Sequence, residues 1–351
     1  MSNIRDNRMD YFKGILMFGV ILGHTITAFK AGYSASLPIH TFIRIYDMPF
    51  FILISGIFLA KSVDKYVPWK NILNKISSIM VPLLLWTAVF NLIRSVLSII
   101  INKTEFSIKN YIYTLFFNGW VLQSALVCSC LMILICWIFK SVRLRLIASI
   151  VLSILCMFIP LDTFNVSFMF PFFALGFFLE GIKSKMSDKC IDIIKGISVI
   201  LFIVMTCFWK ASYNIWSSPS YLLNGDTINT LLITLFRFFI GCTGCVTMSI
   251  VFDILRKAQN PIMQFINKCF ISAGKNTLVI YIFQGFVLEF AFARVIEIFV
   301  DKYGSNPFVS NLGLLGYVIA PVTAFICMVV LNKVIILNEE NTTRRKIYFR
   351  L

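Results

Sequence analysis

Charge is scarce in this chain. Only 14% of its 351 residues are charged, where soluble globular proteins carry about 25%. The deficit falls mainly on one sign, with 16 Asp and Glu against 32 Lys and Arg. Together with 59% hydrophobic residues and 36 Phe, it excludes a soluble globular domain of this length. No hydrophilic domain and no internal repeat interrupts the pattern, so residues 1–351 are expected to form a single integral-membrane domain with no separate soluble one. Histidine is scarcer still, with two in the whole chain. Cys242 and Cys245 have C-x-x-C spacing, yet neither a second pair nor a histidine accompanies them. The ten cysteines lie mostly inside apolar runs and read as small packing residues. Neither a metal, a permanently bound cofactor nor a disulfide is expected. No small-residue cleavage site follows the first apolar run, which reads as an uncleaved first helix.

The chain is filled instead by long, nearly charge-free runs. Each can cross a hydrocarbon core of about 30 Å as a helix of roughly 20 residues. Ten are legible, at about 13–30, 45–60, 76–101, 119–139, 146–160, 167–182, 193–209, 230–252, 271–293 and 312–332. They predict an all-α polytopic membrane protein of about ten transmembrane helices. The net charge of +16 is no nucleic-acid footprint, because its lysines and arginines crowd alternate connections. One set holds Arg8 and Lys13, then Lys61, Lys65, Lys70 and Lys75, then Lys140, Arg143 and Arg145, then Lys183, Lys185 and Lys189. Arg5, Lys195, Arg256, Lys257, Lys268, Lys275 and the basic tail complete it. That bias predicts cytoplasmic placement of both termini, in a multi-pass protein of a bacterial-type cell membrane.

Within a span an ionisable side chain is costly and marks a functional site by default. The candidates are His24, Asp47, Arg94, Arg237 and Glu289. Each has a plainer reading. Arg94 and Arg237 can snorkel or pair, Asp47 stands beside the start of its run, and Glu289 can anchor one helix to another. His24 closes the stretch KGILMFGVILGH, residues 13–24. At about 100° per residue, the step from Lys13 to His24 returns to nearly the same helix face, about 16 Å higher. One face then carries a cation at the cytoplasmic mouth and a titratable base near mid-membrane. Gly19 and Gly23 let a neighbouring helix or a ligand come close. A neutral imidazole there can take a proton from a hydroxyl; the alternative is a histidine that bridges two helices.

RMDYFKGILMFGVILGH resembles the opening signature of the acyltransferase-3 family of integral-membrane, acyl-CoA-dependent acyltransferases, with Lys13 and His24 at its basic and histidine positions. DMPFFILISGIFL (47–59), KISSIMVPLLLW (75–86), PFFALGFFLEGI (171–182) and AGKNTLVIYIFQG (273–285) are similar to further family segments, in order along the chain. Two departures stand out: Asp47 and Gln284 occupy positions where many members carry histidine. The resemblance implies transfer of an acyl group, usually acetyl, from cytoplasmic acetyl-CoA or another acyl-CoA. The acceptor it implies is a hydroxyl of a sugar, lipid-linked glycan or polysaccharide. His24 would be the general base and Asp47 would orient a catalytic group or the acceptor. Lys13, Lys70 and Lys75 suit the polyanionic coenzyme, and Trp120, Gln284 and Glu289 are candidate acceptor contacts. The rival readings are a transporter of a glycan or small solute, against which no repeat or pair of broken helices is visible, and a member that has lost catalysis.

Overall fold

Proline and polar caps set where the apolar runs begin. Pro38, Pro68 and Pro261 each open a helix, where a fixed φ and a missing N–H cost nothing. Asn260 Oδ1 accepts from the Ile262 N–H at 2.9 Å. Ser187 Oγ accepts from the Cys190 N–H at 3.4 Å. Left-handed residues, Gly119 at φ 80° and Asn165 at φ 48°, stand before two further helices. The computed structural model describes residues 7–29, 38–102, 107–117, 119–158, 165–210, 213, 227–303 and 312–342.

The helices run α1 (Asn7–Phe29), α2 (Pro38–Ala60), α3 (Pro68–Asn102), α4 (Ile108–Phe117), α5 (Trp120–Ile138), α6 (Val142–Phe158) and α7 (Val166–Lys183). They continue with α8 (Asp188–Cys207), α9 (Thr227–Arg256), α10 (Pro261–Lys275) and α11 (Thr277–Gln284). A π-helical stretch (Gly285–Phe292), α12 (Ala293–Tyr303) and α13 (Leu312–Thr342) complete the order. Among the described residues there is no strand, and nine spans are long and apolar enough to cross a membrane. The protein is all-α and multi-pass.

The run at 146–160 is α6, whose 17 described residues end at Phe158, next to residues outside the description. One expectation needs correction. The run at 271–293 is not one helix. Asn276 interrupts it, its N–H bonding back to the Ala273 carbonyl, and the residues before it belong to the separate helix α10.

The chain divides into two compact units. The first comprises Met1–Ile43, Trp86–Tyr111 and Val251–Leu351; the second comprises Arg44–Leu85 and Ile112–Ile250. Each is held by a helix crossing of the same design. In the first, α1 packs against α10 with Gly14 against the Phe270 carbonyl and Gly274 against the Asp10 carbonyl. In the second, Gly56 of α2 lies against the Phe173 carbonyl of α7, and Gly176 against the Leu53 carbonyl. Both crossings are antiparallel and reciprocal, each glycine receiving the other helix's backbone. Without side-chain carbons in the seam, the backbones approach closely, which is how helices associate where lipid is as apolar as leucine. A Cβ at any of the four positions meets main chain that cannot rotate away. Gly56→Val and Gly274→Val are therefore expected to destabilise by about 1–3 kcal/mol or more, read as a fall in the melting temperature of detergent-solubilised protein. Gly196→Val, where nothing lies within 4 Å, should leave it unchanged.

Candidate functional site

The first turns of α1 are tied down by charge. Arg8 grips Asp253 with two hydrogen bonds, of 2.9 Å from Nε and 2.6 Å from Nη2. One turn on, Lys13 Nζ lies 2.9 Å from Asp10 Oδ1. The Asp10 side chain is 2% exposed and that of Lys13 17%. The lysine at the mouth of the helix therefore has a protein partner already. A buried carboxylate requires one, since desolvating an ion costs several kcal/mol. Asp10 escapes a search for charges within apolar runs because it precedes the run that begins at Lys13.

The site lies further along α1. The helix starts at Asn7, earlier than its apolar run, so His24 is nearer the Phe29 end, about 7.5 Å from it. Gly19 and Gly23 receive the first turns of α2. A methyl group on Gly19 would sit 3.4 Å from Ile43 Cγ2, and one on Gly23 would sit 3.3 Å from His40 Cδ2 and 3.6 Å from its Nε2. The imidazole of His40 is thereby seated against the residue that precedes His24. The chain has two histidines, and the fold sets the ring of one against the residue adjacent in sequence to the other. Both are half-buried.

A second wall of this region is aromatic. Trp86 and Phe90 of α3 pack on Phe283 with centroids 4.7 and 5.1 Å apart. Phe90 stacks on Phe286 at 4.5 Å and 12°, and the Arg94 guanidinium lies 4.9 Å over the Phe290 ring. This ladder fixes α11 and the π-helical stretch, against which α1 also packs. Phe29 meets Phe292 edge to face at 5.3 Å. Counting back from that contact, His24 and Gln284 differ in depth by roughly one helical turn. Gln284 is 3% exposed, and its Oε1 accepts no hydrogen bond from the described residues. Burying an amide oxygen unpaired costs about 1–3 kcal/mol, a cost that a hydroxyl-bearing ligand would remove. The first unit thus gathers Lys13, His24, His40 and Gln284. The side chain of Glu289, in the π-helical stretch, lies outside the described residues.

Asp47, Lys70, Lys75 and Trp120 belong to the second unit. Asp47 is 2% exposed and well inside α2, because the helix begins at Pro38 rather than at the start of the apolar run. Its Oδ1 accepts from the Met48 N–H at 2.6 Å. Lys70 is exposed, with its ammonium 5.9 Å from the Tyr66 ring centroid. Lys75 is half-buried near Cys130. Trp120 opens α5, half-buried, directly after the left-handed Gly119. Buried Gln123 and Ser124 follow within a turn, and a scan for charges does not find them. Arg237, 2% exposed, places its guanidinium 4.2 Å over the Phe168 ring, a contact that suits a cation inside a bilayer. Among the described residues no group of three His, Cys, Asp or Glu side chains could hold a metal ion.

A family model described as an acyltransferase domain, acyltransferase-3, matches residues 6–333. No curated protein and no solved structure matches the chain.

Proposed function

We propose, from the premise that this chain belongs to the acyltransferase-3 family, that this membrane acyltransferase moves an acetyl group from acetyl-CoA to a glycan hydroxyl. The observation that best supports the reading is the seating of His40 against Gly23, beside His24. His24 is the general base. As the acceptor oxygen attacks the thioester carbonyl carbon, its proton passes to the imidazole. The tetrahedral oxyanion then collapses, the C–S bond breaks, and the thiolate of the coenzyme takes the proton back from His24. The products are an ester and the free thiol. His40 and the Gln284 amide oxygen hydrogen-bond the hydroxyls beside the reacting one and so fix its direction toward His24. Lys13 meets the phosphates of acyl-CoA arriving from the cytoplasm. No permanently bound cofactor is needed. The setting is a bacterial-type cell membrane.

The test uses membranes containing the full chain, acetyl-labelled acetyl-CoA and an extracted cell-surface glycan. Label appearing in ester linkage on the glycan supports the reading. Movement of glycan across the membrane without label would replace it with a transporter. His40→Ala should raise the acceptor KM about three- to tenfold, the worth of one neutral hydrogen bond, with little change in acyl-CoA affinity. An unchanged acceptor KM would remove His40 from the site.

A further inference from the structure

The second unit contains a cleft that no residue of the candidate site lines. It opens between α6, α7 and α9, encloses about 400 Å³, and is walled by Leu146, Ile150 and Ile154 of α6, Ala174 and Phe178 of α7, and Phe238 of α9. The three α6 residues recur every fourth position and so form one stripe along the helix. That stripe is open, at 41%, 52% and 51% exposure, and it extends about 12 Å. Two of the three hydroxyls in the wall are spent on their own helix: Ser149 Oγ donates to the Arg145 carbonyl at 2.8 Å and Ser153 Oγ to the Ser149 carbonyl at 2.7 Å. The third, Thr234, is buried at 4% exposure. A sugar or nucleotide would find little to bond here, whereas a hydrocarbon chain would fit.

One end of the cleft is basic. Arg143 precedes Leu146 by one turn on the same face of α6. Lys185 lies in the turn that follows α7, its N–H donating at 3.1 Å to the carbonyl of Ile182, the last α7 residue of the wall. Both are exposed. The neighbouring Arg145 is committed elsewhere, its Nε donating to the Phe139 carbonyl at 2.8 Å. We infer that the cleft holds one acyl chain of an anionic phospholipid of the bilayer, whose phosphate sits at Arg143 with Lys185 alongside. A guanidinium offers phosphate two parallel hydrogen bonds. The second cation selects a headgroup of net negative charge over a zwitterionic one, in the way juxtamembrane basic clusters attract anionic lipid.

The experiment places the full-length protein in phosphatidylcholine nanodiscs with a trace of phosphatidylglycerol that carries a photoactivatable group midway along one acyl chain. Crosslinked peptides are then mapped by mass spectrometry. The expected result is label concentrated on α6 and α7, reduced by Ala174→Trp to the level found on the outward isoleucines of α8, such as Ile200 and Ile203 (63% and 60% exposed). Should Ala174→Trp fail to fold, Ile150→Trp fills the open side of the same cleft without entering a packed position. The Arg143→Ala, Lys185→Ala pair should remove the advantage of labelled phosphatidylglycerol over labelled phosphatidylcholine at these sites. Label spread evenly over α6, α7 and α8, or insensitive to either tryptophan, would overturn the inference and leave only ordinary boundary lipid.

Discussion

Replacing His24 by alanine is expected to lower acyl transfer by about 10²–10⁴-fold, the usual contribution of a positioned general base. The variant should still insert, keep its melting temperature and bind acyl-CoA. The expectation rests on position as much as on chemistry. An acyl thioester is open to hydrolysis, so the base has to work where water is excluded. His24 is half-buried, against neighbours fixed by the Gly19 and Gly23 contacts and by the Phe29–Phe292 pair. The chain's other histidine has its ring against the backbone beside it, so the site has no third imidazole to take over. Transfer is measured as labelled ester formed per mole of purified enzyme. Wild-type turnover in His24→Ala would sink the mechanism. Loss of the folded protein would instead make His24 a bridge between helices.

The second large effect concerns Lys13. Lys13→Ala leaves the Asp10 carboxylate, 2% exposed, without the ammonium it pairs with, and removing one partner of a buried ion pair costs about 3–5 kcal/mol. Set against a total stability of about 5–15 kcal/mol, that is enough to deplete folded protein from the membrane. Lys13→Arg keeps the charge and should keep the fold. Asp10→Asn combined with Lys13→Met removes both charges and should recover much of the yield. The yield of monodisperse protein and its melting temperature read out stability, and binding of labelled acyl-CoA is followed separately. A Lys13→Ala protein of normal stability that no longer binds acyl-CoA would show that the lysine serves the coenzyme alone. Normal stability with normal binding would remove it from both roles.

The membrane-spanning character of the chain was legible because bilayer thickness imposes a length and a composition on each helix, and both are visible residue by residue. The relation of Lys13 to His24 was legible because it follows from the periodicity of a single helix. His40 was not, since its importance depends on which helix α1 meets; only the paired small residues Gly19 and Gly23 hinted that something approaches there. The break at Asn276 was hidden by apolar residues on both sides, which hydropathy reads as continuous. The burial of Asp47 within α2 was hidden because the apolar run starts later than the helix does. Arg94 and Arg237 lie over phenylalanine rings, and in a chain with 36 Phe no spacing rule singles out which ring each arginine will find.

The reciprocal glycine crossings also bear on the order in which the protein can be completed during synthesis. Gly56 and Phe173 are joined once the first half of the chain has been made, so the α2–α7 seam of the second unit can close early. Gly14 has to wait for Phe270, and at about 5–20 residues per second that wait lasts tens of seconds. Throughout it, α1 sits in the bilayer with its small-residue face and its Asp10–Lys13 pair uncovered by their final neighbour. The first unit is thus the last to be sealed. A ribosome that stalls anywhere before α10 leaves a chain whose opening signature is inserted but unpartnered, a target that membrane quality control can tell apart from the finished enzyme.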